Sequence, residues 1–233
     1  IRTALAEGAR LEARDLRLDL TPLMLSIYRD HRDALKVLVA QGANLNARNP
    51  RGQTPLMMLA SGGQRELVDF LLQSGAQRDA RDELGNTALL WATYWGHREV
   101  ITRLLEAQAE ATAGNDDGNN ALHLIALGGI ANHTRKLLKK PVYLPSGRLQ
   151  AGSAGIDTSL FLLQQLVTAG AAVNGVNQAG QTPLLLLAEK GEWSAVAYLL
   201  TVGADPTHLD KQGEGFRAYA QRSGDMQGAE RFF

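Results

Sequence analysis

Apolar residues in this chain recur in short groups whose spacing is that of a helix with one buried face. Apolar pairs are followed three or four positions later by another pair, as in Leu67-Val68 with Leu71-Leu72 and Val100-Ile101 with Leu104-Leu105. This spacing places the pairs on one stripe of a helix. A second apolar segment of about eight residues precedes each group, and polar segments separate the units. The pattern predicts pairs of short antiparallel helices joined by turns.

A threonine-proline-leucine motif marks the start of each helix pair. It begins at Thr21, Thr54 and Thr182, and looser versions begin at Thr87 and Asn120. The intervals between these positions are 33 residues three times and then 62 residues, which is one period and a 29-residue insertion. A threonine hydroxyl caps free backbone N–H groups and proline fits the first helical position, so the motif predicts helix starts.

A second landmark, glycine followed by alanine, predicts where the second helix of each pair ends. Its first residues are Gly8, Gly42, Gly75, Gly170 and Gly203, with Gln108 in place of one glycine. Glycine adopts the positive φ that often follows a helix. Each unit is too small to bury its own apolar face, so the stacking of neighbouring units supplies the core.

The period, the Thr-Pro-Leu motif, the Gly96-His97 pair and the Gly203-Ala204-Asp205 segment together resemble the ankyrin-repeat family. The resemblance implies an all-α solenoid of helix-turn-helix units with β-turn or hairpin loops, in a single domain. Gly215 stands where the last unit would have its capping threonine. The implied units are a partial repeat at 1–13, repeats at 14–46, 47–79 and 80–112, a repeat with an insertion at 113–174, a repeat at 175–207 and a C-terminal cap at 208–233.

Composition and charge exclude several function classes. The chain has 24 Lys and Arg residues against 24 Asp and Glu residues, and zero net charge argues against nucleic-acid or membrane-surface binding. The absence of cysteine excludes disulfides and thiolate metal sites, and no apolar stretch is long enough for membrane insertion. The sequence begins at Ile1 and not at Met, which is compatible with the removal of a signal peptide. Both a cytoplasmic and a periplasmic or secreted location are therefore open. The excess of 18 Arg over 6 Lys predicts a GC-rich bacterial source.

The histidines and the glycine-rich segments give no catalytic or cofactor signature. No two histidines have the spacing of metal ligands on a helix, and no glycine segment has the phosphate-loop sequence. The family resemblance assigns His31, His97 and His123 to hydrogen bonds between neighbouring repeats. We therefore expect no catalytic residue, no cofactor and no metal.

In the family that the chain resembles, turn tips and first helices form a concave face, and such faces bind partners. The resemblance implies contact residues in the turns and at the ends of the first helices. The candidates are Tyr28, Arg29, Arg51, Glu83, Tyr94, Trp95, Asp116, Asp117 and Lys190. Tyr94 and Trp95 are the sharpest candidates because aromatic residues are enriched at binding hot spots. The alternative is that one ring fills the groove by packing over Ser61, Gly62 or Gly128.

The insertion at about 129–157 has five basic residues against one aspartate, Asp157. Long loops that interrupt a regular array are often functional, so Lys136, Lys139 and Lys140 are candidates for contact with an acidic partner surface. The alternative is a tolerated surface loop, since long loops reduce stability little.

These observations predict a protein-protein interaction module that binds another protein through its concave face and basic insertion, without catalysis and as a monomer apart from that partner. A toxin-neutralising (immunity) protein and a host-directed effector are both open as its biological role. An enzyme with its site around His133 is disfavoured because the insertion supplies mostly like charges. Nucleic-acid binding by the insertion is disfavoured by the neutral overall charge and the acidic turns at Asp82-Glu83 and Asp116-Asp117.

Overall fold

The computed structural model describes residues 10–127 and 156–232, with side chains in the second range from residue 160. These residues form short helices and turns, and they contain no strand beyond one isolated bridge between Gly114 and Asn120. The helices are α1 Pro22–Tyr28, α2 Arg32–Ala40, α3 Pro55–Ser61, α4 Arg65–Gln73, α5 Ala88–Tyr94, α6 Arg98–Glu106, α7 Ala121–Ala126, α8 Ile156–Thr168, α9 Pro183–Lys190, α10 Trp193–Thr201, α11 Phe216–Arg222 and α12 Met226–Ala229, followed by a 3₁₀ turn at Glu230–Phe232. The predicted all-α fold class is confirmed.

The predicted helix starts are confirmed by capping hydrogen bonds. The hydroxyl of Thr21 accepts from the Met24 N–H at 3.4 Å, and the side-chain oxygen of Asn120 accepts from the His123 N–H at 3.1 Å. Thr54, Thr87 and Thr182 make the same bond. At α11, Gly215 holds the cap position and supplies no side-chain bond.

The predicted helix ends are confirmed by backbone conformation. The second residue after the second helix of a unit has a positive φ, between 85° and 93° at Gly42, Gly75, Gly170 and Gly203. Gln108 adopts the same conformation with a φ of 64°, although it carries a Cβ. The turn therefore keeps its shape at Gln108 with a residue less suited to it.

The helices pack in two rows that share one core. Each of α1, α3, α5, α7 and α9 packs against the next helix in that series, and the series ends at α11. In the second row, α4, α6, α8 and α10 pack in order. The shared core consists mainly of fully buried Leu, Ala, Val and Met side chains.

The stack is continuous across the insertion. Helix α7 packs against α9, and α6 packs against α8, although 29 residues separate α7 from α8. Helix α8 has 13 residues where α6 has nine, because it begins one turn early at Ile156. The last two residues of the predicted insertion, 156 and 157, therefore belong to that helix.

Candidate functional site

The turns between repeats are closed by side-chain oxygens in equivalent positions. Oδ1 of Asn49 accepts from the N–H groups of Arg51 at 2.9 Å and Gln53 at 3.0 Å. Such bonds satisfy backbone donors and hold the turn in one shape. The residues that close turns in this way are Asp15, Asn49, Asp82, Asn115, Asn177 and Asp210.

From the turn closed by Asn49 onward, backbone hydrogen bonds join one turn tip to the next. The Glu83 N–H donates to the Arg51 carbonyl at 3.0 Å, the Asp116 N–H to the Leu84 carbonyl at 3.0 Å, and the Gln178 N–H to the Asp117 carbonyl at 2.7 Å. Four of the predicted contact residues, Arg51, Glu83, Asp116 and Asp117, thus lie along one edge.

This edge carries an acidic segment. The carboxylates of Glu83, Asp116 and Asp117 are exposed. No basic side chain in the described part of the chain forms an ion pair with any of the three. The acidic segment can therefore attract a cationic group from solution.

A ladder of three arginines, Arg14, Arg48 and Arg81, links successive turns, and the sequence reasoning missed it. Each guanidinium donates to a carbonyl of its own turn and to a carbonyl of the next repeat. Arg48 donates to the carbonyls of Gly52 at 2.9 Å and Arg81 at 2.5 Å. Arg14 donates to the carbonyls of Asp19 and Arg48, both at 2.8 Å. We call these three residues the arginine ladder.

The arginine ladder ends at Arg81, which donates to the carbonyls of Gly85 at 3.2 Å and Gly114 at 2.6 Å. The signal for it was present in the sequence: Ala-Arg followed by Asn or Asp occurs at residues 13–15, 47–49 and 80–82. The next equivalent residue is Gly114, which has no side chain to continue the ladder.

Tyr94 and Trp95 lie side by side at the end of α5. Their rings meet edge to face, with centroids 5.2 Å apart and an angle of 87° between planes. Both side chains are half-buried and pack against the core. In α3, the preceding helix of the row, the corresponding end has buried Ser61 and exposed Gly62. The predicted small flanking residues are thus adjacent to the aromatic pair along the row.

The indole nitrogen of Trp95 differs from those of the other two tryptophans. Nε1 of Trp91 donates to Asp82 at 2.8 Å, and Nε1 of Trp193 donates to Asp225 at 2.6 Å. Nε1 of Trp95 is shielded from solvent and has no hydrogen-bond partner among the described residues. Buried donors are rarely left without a partner in folded proteins.

The other predicted contact residues stand further along the same row. Tyr28, half-buried, is the last residue of α1, and Arg29 after it is exposed. Lys190, also exposed, is the last residue of α9. Helix α3 lies between the end of α1 and the aromatic pair. Helix α7 lies between the aromatic pair and the end of α9. These residues therefore extend the predicted face rather than joining the aromatic pair.

Comparison with known families agrees with this geometry. Three copies of the ankyrin-repeats family model match the chain, at residues 2–82, 23–114 and 59–146, and together they cover more than half of it. The chain belongs to the ankyrin-repeat family. Ankyrin repeats are in general protein-protein interaction modules and typically non-catalytic. Among curated proteins, no sequence matches this ankyrin-repeat chain.

Two of the three predicted histidine bonds between ankyrin repeats are confirmed. Nε2 of His97 lies 2.9 Å from the Ser61 carbonyl, and Nε2 of His123 lies 3.0 Å from the Gln181 carbonyl. The ring of His31 is exposed and bonds to none of the described residues, and residues 1–9 of the preceding repeat lie outside them, so the bond of His31 stays a prediction.

Burial sets the charge of the two bonded histidines. Removal from water lowers the pKa of His97 and of His123 below the ordinary 6.5, and this outweighs their hydrogen bonds to carbonyls. Both rings are therefore neutral at pH 7. A neutral imidazole that donates to a backbone carbonyl of the neighbouring repeat fits the structural role that the family resemblance implied.

Some predicted features lie outside the described residues. They are Lys136, Lys139 and Lys140 of the insertion, and His133. In the described ranges, no group of three or more His, Asp or Glu side chains has an arrangement that could hold a metal ion. No helix there has both the length and the apolar character needed to cross a membrane.

Proposed function

We propose that this ankyrin-repeat chain binds a partner protein through its turn tips and the ends of its first helices, and that it has no catalysis of its own. The observation that carries the proposal is Trp95. Its ring is partly exposed at the end of α5 and packs edge to face against the ring of Tyr94, whereas the ring of Trp91 is buried. The exposed part of the ring offers the apolar contact area that tryptophans supply at binding hot spots.

The surroundings of Trp95 support a contact surface. The neighbouring helix ends in the buried Ser61 and in Gly62, which has no side chain. A partner side chain can therefore approach the aromatic pair from that side. The acidic segment of Glu83, Asp116 and Asp117 adds charge that would orient a partner. Arg29 and Lys190 extend the proposed face at its two ends.

The basic insertion is a second part of the proposal. Lys136, Lys139 and Lys140 would contact an acidic region of the same partner. A toxin-neutralising protein and a host-directed effector would both act through such contacts, and both remain proposals for the biological role.

The test is to isolate the partner with the wild-type chain and then to measure affinity by calorimetry with purified variants. The Tyr94→Ala/Trp95→Ala variant should bind at least about tenfold more weakly, as expected for loss of a hot spot. Tyr198→Ala is the matched control, because Tyr198 is a half-buried aromatic residue of α10, in the other row of helices. Unchanged affinity in the double variant, with a lowered melting temperature, would overturn the proposal.

A further inference from the structure

The arginine ladder defines a guanidinium-binding element made of backbone. In each of its three members, one guanidinium bonds to a carbonyl four or five residues ahead in the same turn and to a carbonyl of the next repeat. The planar guanidinium suits this task because its N–H groups point to two acceptors at once. The same arrangement occurs at three successive positions, so the backbone geometry that produces it is a property of the repeat.

The fourth position has the carbonyls without the arginine. Gly114 replaces arginine there, and the equivalent carbonyls belong to Gly118 and to Val176 of the next repeat. No described residue donates a hydrogen bond to either carbonyl. Gly118 itself lies close to the Val176 carbonyl, since a Cβ added at Gly118 would lie 3.2 Å from the Val176 oxygen.

The fifth position shows that the chain can supply another donor where arginine is missing. Val176 stands there in place of arginine, and the carbonyl of Gly180 in its turn accepts from Nε2 of His208 at 2.8 Å. The bond thus comes from a different residue of the next repeat. At the Gly114 position, the described part of the chain offers no such substitute.

Space and charge at the fourth position favour an incoming cation. The nearest atoms to a Cβ added at Gly114 would lie 3.6 Å away, which is an ordinary contact. Asp116 and Asp117 belong to the same turn, are exposed and have no ion-pair partner among the described residues. The nearest guanidinium of the arginine ladder is that of Arg81, which donates a hydrogen bond to the Gly114 carbonyl. Arg48 and Arg81 already occupy successive positions, so this spacing accommodates neighbouring guanidinium groups.

We infer that the carbonyls of Gly118 and Val176 bind an arginine side chain presented by the partner protein. The incoming guanidinium takes the place that Arg48 and Arg81 take in their own repeats, and the carboxylates of Asp116 and Asp117 attract it. A lysine ammonium is a point charge without the planar fork, so it matches the pair of carbonyls less well. This inference rests on the proposed function, since it names the chemistry of the partner for the same edge of the molecule.

The experiment uses Nα-acetyl-argininamide as the probe and ¹⁵N-labelled protein observed by NMR. Titration should shift the amide signals of residues 114–119 and 176–178 in the wild type, with at least about fivefold weaker binding of Nα-acetyl-lysinamide. Gly114→Ala, which leaves both carbonyls accessible, should bind the probe as the wild type does. Gly114→Arg, which supplies the missing side chain, should abolish the shifts at these residues.

Equal binding of the arginine and lysine probes would overturn the inference, and so would the absence of shifts at these residues in the wild type. Persistence of the shifts in a folded Gly114→Arg protein would also overturn it. The Tyr94→Ala/Trp95→Ala variant should bind the probe normally. Failure of the arginine site is therefore distinguishable from failure of the proposed function, which is measured by partner affinity in that double variant.

Discussion

The indole Nε1 of Trp91 donates a 2.8 Å hydrogen bond to Oδ2 of Asp82, whose Oδ1 closes the turn by accepting from Leu84 and Asn86. The buried carboxylate of Asp82 thus closes its turn and also binds helix α5 through Trp91, nine residues later in the chain. The last repeat has the same arrangement, because the Tyr219 hydroxyl donates to Oδ2 of Asp210 at 2.7 Å.

Turns that are closed by asparagine have no such donor. The residues nine positions after Asn49, Asn115 and Asn177 are apolar, namely Met58, Leu124 and Leu186. A neutral amide in the turn is thus followed by an apolar side chain, and the buried aspartates Asp82 and Asp210 by an aromatic donor. This relationship predicts how the two positions respond to substitution.

Replacing Trp91 with leucine should lower the free energy of unfolding by about 3 kcal/mol, because it leaves a buried carboxylate oxygen without its donor and removes ring volume. The double variant Asp82→Asn/Trp91→Leu reproduces the Asn115 and Leu124 combination. It should be more stable than Trp91→Leu alone, as measured by urea unfolding. Equal stability of the single and double variants would contradict the pairing.

Acid should destabilise the C-terminal repeat through Asp210. Burial raises the pKa of this carboxyl, but hydrogen bonds from the Tyr219 hydroxyl and from the Glu214 and Gln212 N–H groups outweigh it and hold the pKa below the ordinary 3.8. A depressed pKa in the folded state contributes stability above the unfolded-state value, and this stability is lost as pH falls through the folded-state pKa.

Urea unfolding at pH 7 and at pH 3 should therefore show a smaller difference in stability for Asp210→Asn than for the wild type. The same pH difference in stability, measured for Asp225→Asn, provides a comparison. The pKa of Asp225 is also lowered, and its carboxylate also accepts a hydrogen bond from an aromatic side chain, the indole of Trp193. An unchanged pH difference in Asp210→Asn would show that this carboxyl does not contribute.

Replacing Gln108 with glycine should raise the free energy of unfolding by about 0.5–1 kcal/mol, because φ is positive there and glycine avoids the Cβ strain. Gly75→Gln is the reverse change at an equivalent position, where no atom lies within 4 Å of an added Cβ. It should destabilise by a similar amount. If chemical denaturation gave the same sign for both variants, backbone strain would not be the cause.

Deleting residues 129–157 should preserve cooperative unfolding. The deletion leaves three residues between Leu127 and residue 160, as there are between Tyr94 and Arg98. Contacts across the junction hold the stack together, including a 2.9 Å bond from Asn120 Nδ2 to the Ala172 carbonyl and the Arg98 guanidinium 3.7 Å above the Phe161 ring. Two separate transitions in calorimetry would contradict this expectation.

The same deletion tests the insertion as a contact. If Lys136, Lys139 and Lys140 contact the partner, the deleted protein should bind it more weakly and with less dependence on salt concentration. Unchanged affinity would identify the insertion as a tolerated loop.

Replacing the carboxylates of Asp116 and Asp117 with amides should weaken binding of a cationic partner and leave the melting temperature nearly unchanged. Their side chains are exposed, and the bonds that join the turn tips here use their backbone atoms. Asp33→Asn/Glu66→Asn is a control of equal charge change on α2 and α4. Equal loss of affinity in both variants would point to net charge rather than to the turn tips.

The sequence predicted helix starts and ends well because their chemistry is local. A threonine followed by proline, or a glycine after a helix, acts on its own backbone, so Thr21 and Gly42 could be interpreted without the rest of the chain. The arginine ladder was missed because an arginine beside a turn is usually a solvated side chain. Its acceptors on the next repeat, 33 residues away for Arg48 and Arg81, become neighbours only in the stack.

Trp91 was missed for a related reason. It occupies an apolar position of α5, where a ring normally signals the core, and its hydrogen bond to Asp82 crosses from helix to turn. Trp95, next to the end of the same helix, was predicted as a contact residue from its position and from the enrichment of aromatic residues at binding hot spots. Its chemistry toward a partner depends on a surface that the chain does not contain.

The arginine ladder also bears on how such an array can grow or shrink by duplication. Each guanidinium in it bonds to a main-chain carbonyl of the following repeat, and every residue has such a carbonyl. A copy of the 47–79 segment inserted in register would therefore inherit a donor from its predecessor and supply one to its successor. A copy that included Gly114 would instead create a second carbonyl pair without an arginine. Gene rearrangement within this family could thus add or remove arginine-binding positions in whole-repeat steps.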